Sequence, residues 1–207
     1  MDSGIMGVER GIACLTEQGV CEREYFAGTR TDVLRIGGIE PESIVDGPGF
    51  RYAVFVQGCN FRCPGCHNSQ LQTFEGGREM AIDDMLRDIQ ENPLLDGLTL
   101  SGGDPFTQAA ACAALAERVR SLGLSVVTFT GYLWEDLLAS GGEPSPYRLG
   151  GGSGRQDWLR LVAASDIIVD GPFIMALRDI ELRFRGSSNQ RLIDVRQSLA
   201  VGRAVKR

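Results

Sequence analysis

The sequence lacks the features that mark membrane and exported proteins. No apolar run approaches the roughly 20 residues that a helix needs to cross a bilayer. The N-terminal region has no basic segment followed by an apolar core, which a secretory signal would show. We therefore predict no membrane span and no export signal, and we expect the protein in the cytoplasm.

Positive charge is also scarce. The 207 residues include 21 lysines and arginines against 27 aspartates and glutamates, which gives a net charge of −6. Nonspecific binding to nucleic acid depends on a positively charged surface. We therefore predict that no nucleic acid is a partner.

What the chain does have is enough apolar sequence for one core. A length of 207 residues with 43% apolar residues suffices for one domain and is short for two. Residues 1–32 show no strong periodicity, and we interpret them as an N-terminal extension without an assigned role. Residues 33–207 predict a single domain. Within it, "GGEPSPYRLGGGSG" at 141–154 has too few apolar residues to pack and predicts a flexible insertion.

From residue 33 onward, short apolar strands alternate with helical patterns. The runs "VLRIGGI", "RYAVFVQG", "LDGLTLSGG", "LSVVTFTG" and "DIIVDGPF" predict strands, and "AIDDMLRDIQEN" and "TQAAACAALAERVRSLG" predict helices between them. This order is typical of parallel strands joined by helical crossovers. We predict an α/β fold whose five or six strands, mainly parallel, form an open partial (β/α) barrel, because about eight are needed to close one.

Unusual residues follow these strands at their carboxyl ends, where such folds bind their ligands. We expect them to converge on one pocket. They are the loop with Cys59, Cys63 and Cys66, then Gly102, Gly103 and Asp104, then Thr128 and Thr130, and Asp170.

The three clustered cysteines predict a metal centre. In the cytoplasm cysteines are usually thiols or metal ligands, and we interpret Cys112, inside a helical stretch, as a small buried residue. A structural zinc site needs four ligands. The only histidine, His67, is adjacent in sequence to Cys66 and can rarely reach the same metal, so Cys14 or Cys21 would have to complete it. A [4Fe-4S] cluster is normally held by four thiolates, and three would leave one iron open.

Five segments in order carry a resemblance to a known family. The spacing CxxxCxxC, followed by a glycine pair that ends a later strand, resembles the radical S-adenosylmethionine (SAM) superfamily. More closely, the segments resemble the family of proteins that activate anaerobic (class III) ribonucleoside-triphosphate reductase. They are "SIVDGPGFRYAVFVQGCNFRCPGCHN", "NPLLDGLTLSGGDPF", "TFTGY", "DIIVDGPF" and "RGSSNQRLIDV".

The resemblance implies an enzyme, an oxidoreductase with two cofactors. Cys59, Cys63 and Cys66 would hold a [4Fe-4S] cluster, and SAM would chelate its open iron through the amino nitrogen and a carboxylate oxygen. One electron, from a low-potential donor such as flavodoxin or ferredoxin, would cleave SAM to methionine and a 5′-deoxyadenosyl radical. That radical would take a hydrogen from one glycine of the partner reductase and leave a glycyl radical.

The same resemblance assigns expected contacts to SAM. Gly102 and Gly103 would let the chain pass close to its methionine, and Asp104 would accept a hydrogen bond from its ammonium group. The alternative for Asp104 is a helix cap in a simple turn.

Three more residues and the histidine are expected near SAM. Thr128, Thr130 and Asp170 would contact its carboxylate or its ribose, with ordinary strand packing as the alternative. His67 would lie near the adenine, with a plain loop position as the alternative.

Two further segments are expected to face the partner. Asp46 and Arg51, in "VDGPGFR", would lie where the target peptide enters, and the alternative is an ordinary turn. The polar stretch from Arg185 to Arg191 would either cover the open end of the barrel or face the reductase, and the sequence leaves both open.

Other functions also keep a cysteine loop of this kind. One is a different radical SAM enzyme, either an activase of another glycyl-radical enzyme or a small-molecule enzyme such as 7-carboxy-7-deazaguanine synthase. The non-enzymatic alternative is an iron-sulfur electron carrier, which needs neither the glycine pair nor SAM.

Overall fold

The computed structural model describes residues 31–139 and 154–207, which form one seven-stranded sheet with helices against it. The strands run in the order β3-β1-β2-β4-β5-β6-β7 across the sheet. They are β1 (Val33–Ser43), β2 (Arg51–Val56), β3 (Arg78–Ala81), β4 (Gly97–Gly102), β5 (Ser125–Phe129), β6 (Ile167–Asp170) and β7 (Arg191–Asp194). The α-helices are α1 (Ile82–Glu91), α2 (Ala109–Ser121), α3 (Trp134–Leu138), α4 (Arg155–Ala164) and α5 (Val195–Val201).

The central strands confirm the predicted α/β fold. Strands β2, β4, β5 and β6 pair in parallel, each with the next, and are apolar and largely buried. Helical crossovers are the usual way to return the chain between parallel neighbours. The sheet is open, since β3 and β7 lie at opposite edges of the described strand order.

The strand count is larger than the predicted five or six, because the sheet has a short strand at each edge, β3 and β7, that the sequence did not predict. Strand β1 pairs with both β2 and β3, and β7 pairs with β6, all antiparallel. Strands β3 and β7 have the sequences REMA and RLID. A four-residue strand with only two adjacent apolar residues has no apolar run long enough to recognise it by.

The helices cover one face of the sheet. Helix α2 packs on α4 and α1, and eight of its residues are buried. Small side chains allow this close packing, and Cys112 is fully buried among them, which confirms that interpretation. Val127, Ile167 and Val169 belong to a separate small apolar cluster, to which Phe129 packs.

Arg51 has a structural position that corrects its predicted role. Its side chain is fully buried at the start of β2 and donates hydrogen bonds to Thr99 Oγ1, to Ser125 Oγ and to the carbonyl oxygens of Leu98 and Ser125. Burial lowers its pKa to about 10, so the group is charged at neutral pH. A guanidinium enclosed in this way has no surface for a partner peptide to contact.

Several predictions concern residues outside the described ranges. The extension at 1–32 falls almost wholly on residues 1–30, which include Cys14 and Cys21, and the insertion at 141–154 falls on 140–153. The division of the chain at residue 33 and the role of the insertion therefore stay predictions. Within 31–139 and 154–207, no helix is long and apolar enough to cross a membrane.

Candidate functional site

A cavity of about 860 Å³ opens at the carboxyl ends of the parallel strands. Each central strand contributes to it at or just after its last residues. The contributions are Phe55 from β2, Ser101 and Gly102 from β4, Phe129 from β5, and Gly171 after β6. The cavity thus lies where the sequence placed the ligand pocket.

All three clustered cysteines line this cavity. Cys59 is buried, and Cys63 and Cys66 are half-buried. The loop that holds them is tied to residues further along the chain, since the amide of Gly58 donates to the carbonyl of Leu71 and that of Cys59 to the carbonyl of Gln72. Burial raises the pKa of the Cys59 and Cys63 thiols, so in the absence of a metal both are protonated.

Three cysteines at one cavity supply the donor type that an iron-sulfur cluster takes. Among the described residues, no three histidine, cysteine, aspartate or glutamate side chains lie close enough to hold one metal ion. A [4Fe-4S] cluster binds each cysteine at a different iron, so its ligands surround a volume and need not meet at a point. The amide of Phe61 donates to Cys59 Sγ at 3.3 Å, the kind of bond that tunes a cluster thiolate.

The glycine pair lies beside the cysteine loop. Gly102 and Gly103 both line the cavity. A Cβ on Gly102, whose φ is +97°, would lie 2.5 Å from the backbone nitrogen of Val56, and a Cβ on Gly103 would lie 2.1 Å from the carbonyl oxygen of Gly58. The two glycines therefore let the end of β4 pack on the base of the cysteine loop. Their predicted contact with SAM stays a prediction.

Asp104 is fully buried behind the cavity wall and is not one of the residues that line it. Its carboxylate accepts hydrogen bonds from the amides of Phe106 (3.0 Å) and Gly131 (2.9 Å) and from Thr130 Oγ1 (2.9 Å). Burial raises the pKa of Asp104 to about 6, and the hydrogen bonds from Gly131, Phe106 and Thr130 oppose that rise. This geometry favours the cap alternative, because the oxygens already have donors within the protein.

Of the two threonines, only one reaches the cavity. Thr130 lines it just beyond β5. Thr128 is buried on the opposite face of the strand, where its Oγ1 lies 2.8 Å from Ser165 Oγ at the end of α4. Because neighbouring side chains of a strand point to opposite faces, Phe129 faces the cavity and Thr128 faces the helices. The expectation that Thr128 contacts SAM is corrected on this ground.

Asp170 also has a structural role in place of the expected ligand contact. It is fully buried, accepts a hydrogen bond from the amide of Trp134 at 2.7 Å, and forms an ion pair with Arg191. Arg191 also binds Glu135, which joins β7 to the start of α3. Asp170 is not among the residues that line the cavity.

The remaining predicted residues lie at the cavity. His67 lines it and is exposed. Asp46 lines it from the loop between β1 and β2, accepts from Ser43 Oγ at 2.5 Å, and its carbonyl accepts from Thr99 Oγ1. Contact of His67 with adenine and of Asp46 with a peptide stay predictions.

One wall of the cavity was not predicted as part of a site. Residues 172–190, here called the wall segment, follow β6 and contribute Phe173, Arg178, Ile180, Phe184, Arg185 and Gln190 to the lining. The signal that could have located it is the stretch "RGSSNQR", which the sequence alone could not assign to the barrel end or to a partner surface.

Comparisons with known proteins agree with this geometry. A family model described as a 4Fe-4S single cluster domain matches residues 45–193. The chain is 31% identical over 158 residues to the anaerobic ribonucleoside-triphosphate reductase-activating protein of Escherichia coli (strain K12), covering 72% of this chain and 92% of the relative. It is 33% identical over 159 residues to the protein of the same name from Vibrio cholerae, covering 72% and 91%.

Other matches are shorter or looser. The pyruvate formate-lyase-activating enzyme of Clostridium pasteurianum is 34% identical over 104 residues, which is 47% of this chain and 44% of the relative. Among solved structures, QueE from Escherichia coli has a TM-score of 0.39 and 14% identity, with 67% of this chain and 70% of that chain covered. A likeness that loose supports no conclusion.

The matches over most of both chains, together with a cysteine loop that lines a cavity at the ends of the parallel strands, fix the family. The chain belongs to the anaerobic ribonucleoside-triphosphate reductase-activating proteins and contains their 4Fe-4S single cluster domain.

Proposed function

We propose that this protein is a radical SAM activase that generates a glycyl radical on an anaerobic ribonucleoside-triphosphate reductase. The observation that carries the proposal is the position of three cysteines around one cavity, next to a glycine pair and at the carboxyl ends of four parallel strands. A cluster held by three thiolates keeps one iron open, and the adjacent cavity has room for a second cofactor.

Cys59, Cys63 and Cys66 are the proposed cluster ligands. When bound, the reduced cluster and SAM supply a 5′-deoxyadenosyl radical, with methionine as the other product. The three thiols must lose their protons to bind iron, and burial makes this harder for Cys59. The anchors of the loop to Leu71 and Gln72 hold the ligands in position before the metal binds.

We propose that residues buried behind the cavity lining hold the lining residues in position. Asp104 fixes Thr130 and the amide of Gly131, and its own amide donates to the carbonyl of Gly58 at 2.8 Å. One buried residue therefore joins the end of β5, through its carboxylate, to the base of the cysteine loop, through its backbone amide. We propose that this indirect role replaces the direct contact with the SAM ammonium group.

The mouth of the cavity supports a macromolecular substrate. Two exposed apolar residues line it, Val45 (72% exposed) from the loop between β1 and β2 and Ile180 (82% exposed) from the wall segment, and Ile44 and Met175 of the same two segments are also exposed. Exposed apolar side chains grouped at one opening are typical of a protein contact surface. We propose that the glycine-bearing segment of the reductase enters between these two segments, with Asp46 as a hydrogen-bonding group at the entrance.

The reductase is favoured over other targets by the extent of the matches. Reductase-activating relatives align over about nine tenths of their length, whereas the pyruvate formate-lyase-activating relative aligns over 44%. An electron carrier would need no cavity of this size beside its cluster. Flavodoxin or ferredoxin as electron donor, and the cytoplasm as location, stay predictions.

The test is anaerobic reconstitution with iron and sulfide, followed by electron paramagnetic resonance. We expect a reduced-cluster signal that changes when SAM is added, and a glycyl radical signal when the reductase, SAM and reductant are all present. The variants Cys59→Ala, Cys63→Ala and Cys66→Ala should each lose iron, while Cys112→Ala, buried in α2, should keep it. SAM cleavage without a glycyl radical on the reductase would disprove the proposed target.

A further inference from the structure

Arg185 is a cavity residue whose charge has no partner in the described part of the chain. It lines the cavity from the wall segment. Its Nε is buried, and no acceptor lies within hydrogen-bond distance. Among residues 31–139 and 154–207, no carboxylate lies close enough to Arg185 to form an ion pair, although eight aspartates and glutamates there bind other arginines.

Two other arginines that are largely enclosed have acceptors for their side-chain donors, in contrast to Arg185. Arg51 donates to four oxygen atoms of Thr99, Leu98 and Ser125. Arg191 is held by Asp170 and Glu135. Buried donors in folded proteins are nearly always paired, because an unpaired one loses its hydration without compensation. The unpaired donor of Arg185 therefore indicates an acceptor that arrives with a ligand.

The backbone next to Arg185 is fixed, so the side chain starts from a defined place. Gln190 Oε1 accepts from the amides of Gly186 (2.9 Å) and Ser187 (3.2 Å), and Gln190 Nε2 donates to the carbonyl of Gly171 at the end of β6. The preceding residue, Phe184, has a φ of +57°, which bulky residues rarely adopt. These features hold Arg185 against the cavity before any ligand binds.

We propose that Arg185 binds the carboxylate of SAM in this cavity. The inference rests on the proposed function, which makes SAM the ligand. SAM has two positive groups, the sulfonium and the ammonium, and a single negative one, the carboxylate. A guanidinium repels the first two and forms paired, charge-assisted hydrogen bonds with the third. One carboxylate oxygen can thus bind iron while the other accepts from Arg185.

Arg178 is the weaker candidate for this role. It also lines the cavity and has no ion-pair partner among the described residues, but its side chain is exposed. A hydrated guanidinium contributes less to binding than one with a buried donor, because water competes for its hydrogen bonds.

The test measures equilibrium binding of two ligands to reconstituted holoenzyme. One ligand is SAM and the other is decarboxylated SAM, which keeps the amine, the sulfonium and the adenosyl group. Arg185→Gln should weaken SAM about 10- to 100-fold, the range for a buried hydrogen bond to a charged group, and change decarboxylated SAM by less than about threefold. Decarboxylated SAM cannot chelate iron through a carboxylate in either the wild type or Arg185→Gln. This loss therefore does not affect the ratio of the affinities of the two proteins.

Two further variants make the result specific. Arg183→Gln removes an exposed arginine of the same segment and should leave both affinities unchanged. Arg185→Lys keeps the charge but loses the forked geometry, so it should weaken SAM to an intermediate extent. It is also the variant to measure if Arg185→Gln loses its cluster.

Two results would overturn the inference. They are an equal loss of affinity for both ligands in Arg185→Gln, or unchanged affinity for SAM. Both leave the proposed function standing, since the wild type would still bind SAM. A wild-type holoenzyme that binds no SAM would instead remove the proposed function and this inference together.

Discussion

A single methyl group added at Gly103 should disrupt the base of the cysteine loop. The new Cβ would lie 2.1 Å from the carbonyl oxygen of Gly58 and 2.9 Å from that of Leu71. Ordinary contact begins at 3.4 Å, so the oxygen of Gly58 must move by about 1.3 Å, the difference between 3.4 and 2.1. Both neighbours are backbone atoms, which cannot rotate away as a side chain would.

The expected loss of stability follows from the hydrogen bond that the Gly58 carbonyl accepts. The Gly58 oxygen accepts from the amide of Asp104 at 2.8 Å, and a displacement of this size breaks the bond. Overpacking costs about 1–3 kcal/mol, and a lost hydrogen bond about 0.5–1.5 kcal/mol. We therefore expect Gly103→Ala to lower the free energy of unfolding of the metal-free protein by about 2–4 kcal/mol. Because Gly58 precedes Cys59, the first cluster ligand moves as well.

Urea unfolding measures the loss of stability, and the iron content after reconstitution measures the displacement of the cluster ligand. Gly38→Ala in β1 is the matched control, because a Cβ there meets no atom within 4 Å. It should unfold like the wild type and bind a full complement of iron. If Gly103→Ala loses less than about 1 kcal/mol and binds as much iron as Gly38→Ala, the packing argument for the glycine pair is refuted.

Three further predictions test separate parts of the structure. Arg51→Met should lower the free energy of unfolding by about 3 kcal/mol in urea unfolding, because it leaves buried carbonyls without a donor; an unchanged stability would show that the guanidinium is dispensable. The pKa of Asp104 is raised to about 6 from 3.8, so its protonated form stabilises the folded state below about pH 4 and this stability is lost as the pH rises through 6. The unfolding free energy of the wild type relative to Asp104→Asn should therefore fall by up to about 3 kcal/mol between about pH 4 and pH 7, and a flat difference would contradict the raised pKa. Ile180→Ser should raise the KM for the reductase several-fold in the glycyl radical assay without changing SAM affinity, whereas Leu199→Ser, an exposed position on α5, should change neither; equal effects of the two would argue against a contact surface at the mouth.

The sequence predicted the parts of the site that depend on local pattern. The cysteine loop and the glycine pair each follow an apolar strand directly, and parallel strands bring their carboxyl ends to one edge of a sheet. This is why Cys59, Cys63, Cys66 and Gly103 could be assigned to one pocket before the structure was known, and all four line the cavity.

The face of a strand was harder to predict than its end. Strand β5 reads SVVTF and is buried on both faces, so no alternation of polar and apolar residues shows which side chains point toward the cavity. Thr128 and Phe129 were therefore indistinguishable in the sequence. In the structure, the alternation of side chains along β5 places Phe129 in the cavity and Thr128 against Ser165.

The acidic residues at strand ends raise a related problem. Asp104 follows an apolar strand and Asp170 ends one, as ligand-binding acids often do. Whether such an acid faces a ligand depends on donors that lie far away in the sequence, here Gly131 for Asp104 and Arg191 for Asp170. Nothing local to either residue reveals these partners.

The wall segment shows why a polar stretch outside any strand or helix can still be internal framework. Backbone amides there have few helix or sheet partners, and every buried one needs an acceptor. Gln190 supplies that acceptor for Gly186 and Ser187, and Asn189 Nδ2 donates to the carbonyl of Pro172. The polar side chains of "RGSSNQR" thus help to build a fixed loop after β6 whose Arg185 lines the cavity. From the sequence alone, this polar stretch could equally be a solvent-exposed surface loop. Its side chains form hydrogen bonds with backbone groups, and such bonds leave no pattern in the sequence.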